Sequence, residues 1–313
     1  MRVIAVEEHY ASKAAMEGRG GAPAEVADRL NDLGEGRIAE MDSTGIDVQV
    51  LSLLAPGAQA FPAADAAARA REENDRLAEA VGRHPTRLAA FAALPTADPS
   101  AAAVELERTV KGHGFRGGMV CGHTEGRFID DRRFWPILEV AEGLGVPIYL
   151  HPAPPPAVVA EAYYAGFSPS VSSTLSTSAW GWHVETGLHL LRLVLAGAFD
   201  RFPQLQVVVG HLGEALPFML ARTGNRLPPA ATGLPRTIEE YLRSHVHLSI
   251  SGFFSVPPFL NAMLEFGVDR LLFSVDHPLS SNHEGRAFLD ALPISPADRE
   301  KIAHGNAERL LGL

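Results

Sequence analysis

The sequence predicts an α/β fold, a single (β/α)8 barrel of the TIM type, because buried strands alternate with helices from end to end. Eight short runs rich in Val, Ile and Leu recur, at residues 3–6, 48–53, 88–93, 115–120, 147–150, 205–210, 246–250 and 270–275. They barely alternate polar with apolar residues, which is typical of parallel strands buried on both faces. No linker-like stretch divides residues 1–313, so we expect one domain rather than two unrelated α/β halves.

Helical patterns separate most of these strands. They span residues 37–44, 65–83, 100–111, 133–144, 185–199, 214–226 and 257–266, with a closing set after residue 284. The pattern over 65–83 stops before Pro85, and Gly112, Gly145 and Gly267 stand where helices are expected to end.

Two segments exceed what a minimal barrel needs, at residues 53–62 and 152–182. Both follow predicted strands, on the face where barrels carry their chemistry, so we expect lids or pocket walls there. The longer segment holds aromatic residues that favour a packed wall over a disordered insertion. These are Tyr163, Tyr164, Phe167, Trp180 and Trp182.

Composition excludes several classes of protein. A formal charge of −10, from 27 basic and 37 acidic residues, argues against a partner that is nucleic acid or an anionic membrane. The single Cys121 excludes a disulfide framework or a cysteine zinc cluster. No apolar window is long enough to span a membrane, and acidic residues come too early for a signal peptide. We therefore expect a cytoplasmic location.

Polar residues stand at the carboxyl ends of four predicted strands. Glu7 and His9 end the first strand and share one face of it, because side chains alternate along a strand. His151 ends the fifth strand, His211 the sixth and Asp276 the eighth. Each signal alone is weak, but carboxylates and imidazoles that converge at a barrel mouth suit one Zn²⁺ or Mn²⁺ ion. The alternative is four unrelated polar residues at strand ends.

At these residues the chain resembles the amidohydrolase superfamily. The closer similarity is to its aminocarboxymuconate-semialdehyde-decarboxylase-like branch, of the γ-resorcylate and 2,3-dihydroxybenzoate decarboxylase type, in which Glu-x-His replaces the usual first His-x-His. The matching stretches are residues 6–10, 41–52, 92–95, 149–152, 184–186, 199–203, 210–214, 272–276 and 306–311.

The resemblance implies a ligand set of Glu7, His9, His151 and Asp276 for one divalent ion, with no organic cofactor. It makes His211, paired with Glu214, a pocket residue. It also implies a small aromatic carboxylic acid as substrate and a homodimer or homotetramer.

Further positions concern substrate binding. The resemblance places Arg222 near the substrate, and His123, after the fourth strand, either lines the pocket or makes a structural hydrogen bond. Two positions depart from the family pattern: Gly224 replaces a frequent aspartate, and His277 replaces an aromatic residue. For His183 and His189 we expect packing or helix-surface roles.

The expected reaction is a non-oxidative decarboxylation that begins with protonation of the ring carbon. The metal would hold the phenol and carboxylate oxygens, Asp276 would be the acid, and His211 steered by Glu214 would stabilise an oxygen or relay a proton. A hydrolase acting on an amide, ester or lactone and a hydratase remain alternatives on the same barrel, because a fold does not fix a reaction. A non-catalytic binding protein is the alternative from another class.

Overall fold

The computed structural model describes residues 1–16 and 24–313, and parallel strands form its centre. The strands are β1 (Ile4–Tyr10), β2 (Val48–Leu53), β3 (Leu88–Ala90), β4 (Ala92–Ala93), β5 (Gly118–Cys121), β6 (Ile148–His151), β7 (Val207–Val209), β8 (Val246–Ser249) and β9 (Leu271–Leu272). They pair in the orders β1-β2-β3 and β4-β5-β6-β7-β8-β9. β3 and β4 are the two halves of the predicted third strand, so the described residues form eight strand positions.

Backbone hydrogen bonds join the two sheets and close the ring. At one junction Phe91 N donates to Leu51 O (2.9 Å) and Ala92 N donates to Gly117 O (2.8 Å). At the other, Val6 N donates to Phe273 O at 3.1 Å, which ties β1 to the residues after β9. The predicted (β/α)8 barrel is thereby confirmed.

Helices surround the strands. The α-helices are Lys13–Met16, Ala24–Asn31, Glu35–Thr44, Ala66–Arg83, Pro99–His113, Trp135–Leu144, Ala157–Val159, Pro169–Ser176, Gly181–Leu195, Ala198–Arg201, Leu216–Arg226, Pro229–Thr232, Ile238–His245, Val256–Phe266, Asn282–Ala291, Pro296–Glu300 and Asn306–Leu311. Short 3-10 turns lie at Gly57–Ala60, Arg132–Phe134, His211–Gly213 and Val268–Arg270, and π turns at Ala160–Tyr164 and Lys301–Gly305. Among the described residues, no helix combines the length and the apolar character that crossing a membrane requires.

Several boundaries differ from the prediction. The first strand extends to Tyr10, so Glu7 and His9 lie within it rather than after it. The helix predicted to end at Gly112 continues to His113, and Gly114, with φ of 70°, is its left-handed cap. The helix predicted to begin at Glu214 begins at Leu216, because Glu214 itself has a left-handed backbone with φ of 55°.

The segment 152–182 contains short helices rather than one irregular loop. Tyr164 is buried in it, but Tyr163, Phe167 and Trp180 are exposed. The aromatic side chains of this segment are therefore buried to different extents. Neighbouring positions on a helical turn point in different directions, which separates Tyr163 from Tyr164.

His189, a buried histidine of the helical layer, is expected to make the fold less stable in acid. His189 is 1% exposed, and its Nε2 accepts a hydrogen bond from Ile129 N at 3.1 Å, so the ring is neutral. Burial lowers the pKa of His189 to about 3. The unfolded chain binds a proton at this histidine below about pH 6.5 and the folded chain does not, so stability falls as the pH decreases.

We predict that His189→Gln reduces this acid sensitivity, because the amide oxygen can accept from Ile129 N without titrating. Between about pH 7 and pH 5, the metal-free wild type should lose about 2 kcal/mol more than the variant. Urea unfolding at both pH values measures the difference. Equal losses in the two proteins would contradict the prediction.

Candidate functional site

The four residues predicted to hold a metal ion meet at the mouth of the barrel. One ligand atom each from Glu7, His9, His151 and Asp276 lies within 4.8 Å of all the others. His9 Nε2 is 3.0 Å from Asp276 Oδ1, and His151 Nε2 is 3.2 Å from Glu7 Oε1. The alternative of four unrelated residues at strand ends is therefore wrong.

Hydrogen bonds at the far side of each imidazole direct its Nε2 atom to the centre. His151 Nδ1 lies 2.7 Å from Pro152 O, a carbonyl that can only accept, so Nδ1 carries the proton. His9 Nδ1 lies 3.2 Å from Ser52 Oγ, whose own proton can go to Glu8 O at 3.4 Å. With Nδ1 as the donor on the far side, each ring presents Nε2 to the centre, and loss of any proton there would give a lone pair for a cation.

The two oxygens of Glu7 have different surroundings. Oε2 accepts from three hydroxyl groups, those of Tyr149, Ser249 and Ser251. Oε1 faces the centre. Burial raises the pKa of Glu7, but His211, His151 and His9 together hold it well below its ordinary value. Glu7 is therefore an anion whose free oxygen points at the other ligands.

A divalent cation fits this centre. Glu7 Oε1, His9 Nε2 and Asp276 Oδ1 are buried without a hydrogen-bond partner among the described residues, although they face one another. Buried polar atoms rarely stay unpaired, because each costs about 1–3 kcal/mol. Two imidazole nitrogens and two carboxylate oxygens are a donor set that suits Zn²⁺ or Mn²⁺.

Glu8 points away from the centre, as strand alternation predicts, and holds the backbone of a candidate ligand. Its two oxygens accept from Val275 N and His277 N, each at 2.8 Å, on either side of Asp276. Asp276 has φ of 72°, a left-handed conformation that a non-glycine residue adopts at a cost. Buried Arg37, which donates to His9 O at 2.8 Å, supplies a positive charge near Glu8.

A second polar group lies next to the metal ligands. Glu214 Oε1 is 2.7 Å from His211 Nδ1, and Glu214 Oε2 is 2.6 Å from His183 Nδ1. Burial lowers the pKa of His211, but the Glu214 and Glu7 carboxylates outweigh it and raise the value to about 9. The ring centroids of His211 and His151 are 6.1 Å apart, so this group adjoins the candidate metal centre.

Sequence reasoning missed His183. The expected packing role accounts for the burial of the ring but not for its Nδ1, which faces Glu214. The two partners are 31 residues apart on different elements, so no spacing in the sequence connects them. For His189 the packing role is confirmed by its burial and its bond to Ile129 N.

The His183–Glu214–His211 group borders a cavity of about 330 Å³. Trp180, Phe218 and Phe253 supply apolar walls. The Phe253 ring centroid lies 5.3 Å from that of His183 and 5.5 Å from that of His211. A mainly apolar cavity with a few convergent polar groups is typical of a small-molecule site.

The other predicted residues lie outside this cavity. His123 is half-buried and accepts from Gly126 N at 3.1 Å, which caps a turn. Arg222 is exposed on the helix Leu216–Arg226. Substrate binding by His123 and Arg222 stays a prediction.

The two departures from the family pattern have local explanations. A Cβ atom at Gly224 would lie 1.8 Å from the Glu239 carboxylate, so that carboxylate occupies the space of a larger side chain. His277 turns away from the centre and lies 3.3 Å from Glu40 and 3.0 Å from the Asn282 amide.

The comparisons with known proteins agree with this geometry. The amidohydrolase family model matches residues 9–313. The chain belongs to the amidohydrolase family. This amidohydrolase is 38% identical to a γ-resorcylate decarboxylase of Polaromonas sp. (strain JS666), over 99% of this chain and 98% of the relative.

Solved structures show the same relationship. A dihydroxybenzoic acid decarboxylase from Polaromonas sp. JS666, with bound manganese and the inhibitor 2-nitroresorcinol, has a TM-score of 0.93 and 37% identity, over 100% of this chain and 97% of that one. A 2,6-dihydroxybenzoate decarboxylase complexed with 2,6-dihydroxybenzoate has a TM-score of 0.91 and 36% identity, over 100% of both chains.

We predict that Glu8→Gln weakens divalent-metal binding by roughly 10–100-fold, the range found when hydrogen-bonded partners of metal ligands are changed. The amide nitrogen cannot accept, so either Val275 N or His277 N loses its partner and Asp276 is less firmly held. Competition with a chromophoric chelator measures the affinity.

Glu105→Gln is the matched control. Glu105 is also a buried carboxylate, but it pairs with Asn74 and Arg108 on the outer helices. Metal affinity should be unchanged in it. An unchanged affinity in Glu8→Gln would remove the proposed role of Glu8.

Proposed function

We propose that this amidohydrolase is a metal-dependent, non-oxidative decarboxylase of a hydroxybenzoate-type aromatic acid. The observation that carries the proposal is the set of buried, mutually facing ligand atoms of Glu7, His9, His151 and Asp276. The polar pair His211–Glu214 beside it and the similarity to decarboxylases over nearly the whole chain support the same reaction.

Four side chains would hold the cation, namely Glu7, His9, His151 and Asp276. When bound, Zn²⁺ or Mn²⁺ would orient the phenol and carboxylate oxygens and stabilise negative charge on them. Asp276 has the most accessible side chain of the four, 15% exposed, so it is the ligand that a substrate in the mouth can reach.

The order of bond changes follows from the substrate class. Direct loss of CO2 would leave an aryl carbanion whose electron pair cannot be delocalised. We assign to Asp276 the uptake of the phenol proton and its transfer to the ring carbon that bears the carboxylate. The bond to CO2 then breaks, its electron pair restores the aromatic ring, and water returns a proton to the phenol oxygen.

His211 would act on the oxygen that carries charge during this sequence. Its Nδ1 is held by Glu214 at 2.7 Å, which leaves Nε2 for the substrate. A hydrogen bond from a positively charged imidazole to a developing oxyanion stabilises the transition state more than the ground state. Asp276 and His211 thus have different roles, proton transfer and charge stabilisation.

A substrate panel tests the proposal. Protein stripped with a chelator and reloaded with Zn²⁺ or Mn²⁺ should release CO2 from one or more of salicylate, 2,3-dihydroxybenzoate and 2,6-dihydroxybenzoate, and the stripped protein should not. Cleavage of amides, esters or lactones, or hydration without CO2 release, would contradict the proposal. Protein that binds no metal would indicate a non-catalytic role.

Asp276→Asn is the variant to include in the panel. If elemental analysis shows that it keeps its metal, the rate should fall by at least ~10²–10⁴-fold, the usual contribution of a positioned acid or base. Turnover equal to the wild type would exclude Asp276 as the acid.

We also propose a homodimer or homotetramer, and a cytoplasmic location as predicted from composition. Exposed apolar side chains support the assembly: Leu188 and Met219 border a groove between the helices Gly181–Leu195 and Leu216–Arg226, and Phe218 beside it is 81% exposed. Arg222, exposed on the second of these helices, would then lie at or near an interface.

We predict a sedimentation mass of two or four chains, and a lower mass for Leu188→Glu because the charge would be buried without a partner. Val104→Glu, at an apolar residue that is 66% exposed on another helix, is the matched control and should keep the wild-type mass. A wild-type protein that sediments as a single chain would contradict the assembly.

A further inference from the structure

Glu214 has two imidazole partners, and the proposed reaction uses only one of them. Its side chain has no exposed surface, and each oxygen accepts from a different ring. A carboxylate removed from water requires donors at both oxygens, since an unpaired buried anion is strongly destabilising. His211 Nδ1 donates only to Oε1, so the donor for Oε2 is His183 Nδ1, at 2.6 Å.

The local backbone does not fix Glu214 by regular structure. His211, Leu212, Gly213, Glu214 and Ala215 all have positive φ, between 50° and 87°. Two backbone bonds close this left-handed turn, Gly213 N to Gly210 O at 2.8 Å and Glu214 N to His211 O at 3.4 Å. Residues other than glycine adopt such a backbone at a cost, so the turn depends on the contacts that surround it.

The contact comes from the helix Gly181–Leu195, which packs closely against this turn. A Cβ atom at Gly187 would lie 2.8 Å from Glu214 O, so only glycine permits the approach that is observed. His183 precedes Gly187 by one helical turn and therefore lies on the same side of the helix.

The other nitrogen of His183 contacts the wall of the cavity. His183 Nε2 is 3.0 Å from Ser178 O and 3.1 Å from Trp182 Nε1. Ser178 belongs to the tight turn that precedes the helix, where a Cβ atom at Gly181 would lie 2.3 Å from Ser176 O. Trp180 in the same turn lines the cavity. One ring thus connects the cavity wall to the carboxylate that orients His211.

We propose that His183 is a positioning residue for the decarboxylation, which fixes the Glu214 carboxylate, and through it the His211 ring, against the Trp180 turn. This role rests on the proposed function. Because His183 contacts neither the candidate metal ligands nor the space between them, its loss should leave metal binding intact. Loss of His183 should lower kcat and leave KM nearly unchanged, because the orientation of His211 matters for the reaction step.

The test compares His183→Ala, His183→Gln and Glu214→Gln in the metal-loaded enzyme. His183→Ala should lower kcat by roughly 10–100-fold, as changes in partners that orient functional side chains do, with unchanged metal content and KM. The amide of His183→Gln can donate to Glu214 and should restore part of the rate. The loss in His183→Ala/Glu214→Gln should be smaller than the product of the two single losses, because both changes break one network.

His189→Gln is the matched control. His189 is a buried histidine on the same helix, and its Nε2 accepts from Ile129 N. This variant should retain kcat. The proposal would be overturned by an unchanged kcat in fully metal-loaded His183→Ala. It would also be overturned if the losses of kcat from His183→Ala and Glu214→Gln multiplied in the double variant, or if His189→Gln lost as much kcat as His183→Ala.

Proton NMR of the metal-free enzyme, with 15N-labelled histidine, provides a readout besides activity. The Nδ1 protons of His183 and His211 should resonate far downfield, because each is hydrogen-bonded to the Glu214 carboxylate. His183→Ala should remove one signal and shift the other, and an unshifted His211 signal would overturn the proposal. A wild type that releases no CO2 would instead overturn the proposed function, while the His211 signal still decides whether His183 fixes Glu214.

Discussion

Closure of the barrel between its first and last strands is the interaction on which the candidate site depends. Asp276 N donates to Glu7 O at 3.0 Å, and His9 N donates to His277 O at 2.7 Å. These bonds bring residues from opposite ends of the chain into neighbouring positions, so that the Asp276 carboxylate reaches His9 Nε2. A parallel ladder fixes both the distance and the direction of the side chains it carries. Closure of the barrel therefore also brings the candidate metal ligands together.

The buried carboxylates at this junction explain why so many hydrogen-bond donors surround them. Anionic Glu7 is held by Tyr149, Ser249 and Ser251 through one oxygen only, and its other oxygen stays free. Both oxygens of Glu8 accept hydrogen bonds from backbone N–H groups beside Asp276. Removing carboxylates from water is unfavourable, and a cation at the centre would offset that cost. The arrangement favours a loaded site over an empty one.

The parts of the site that lie on strands could be predicted from the sequence, because a strand has a fixed alternation and the strand ends of a barrel face one way. Glu7, His9 and His151 were placed correctly by that reasoning even though β1 is longer than predicted. Asp276 was also placed correctly, although β9 ends at Leu272, because backbone bonds to β1 continue beyond the strand.

His183 and the conformation around Glu214 could not be predicted, for a different physical reason. Periodicity identifies a helix face, but the partner of that face is set by tertiary packing, here the close approach at Gly187. The run of positive φ from His211 to Ala215 contains one glycine, so the usual signal for a left-handed backbone is present at only one of five positions. Strain of this kind is maintained by contacts from other elements and is common at functional sites. Strands β1 and β6 thus hold the proposed ligands Glu7, His9 and His151, and a strained turn against the helix Gly181–Leu195 holds the proposed catalytic pair His211–Glu214.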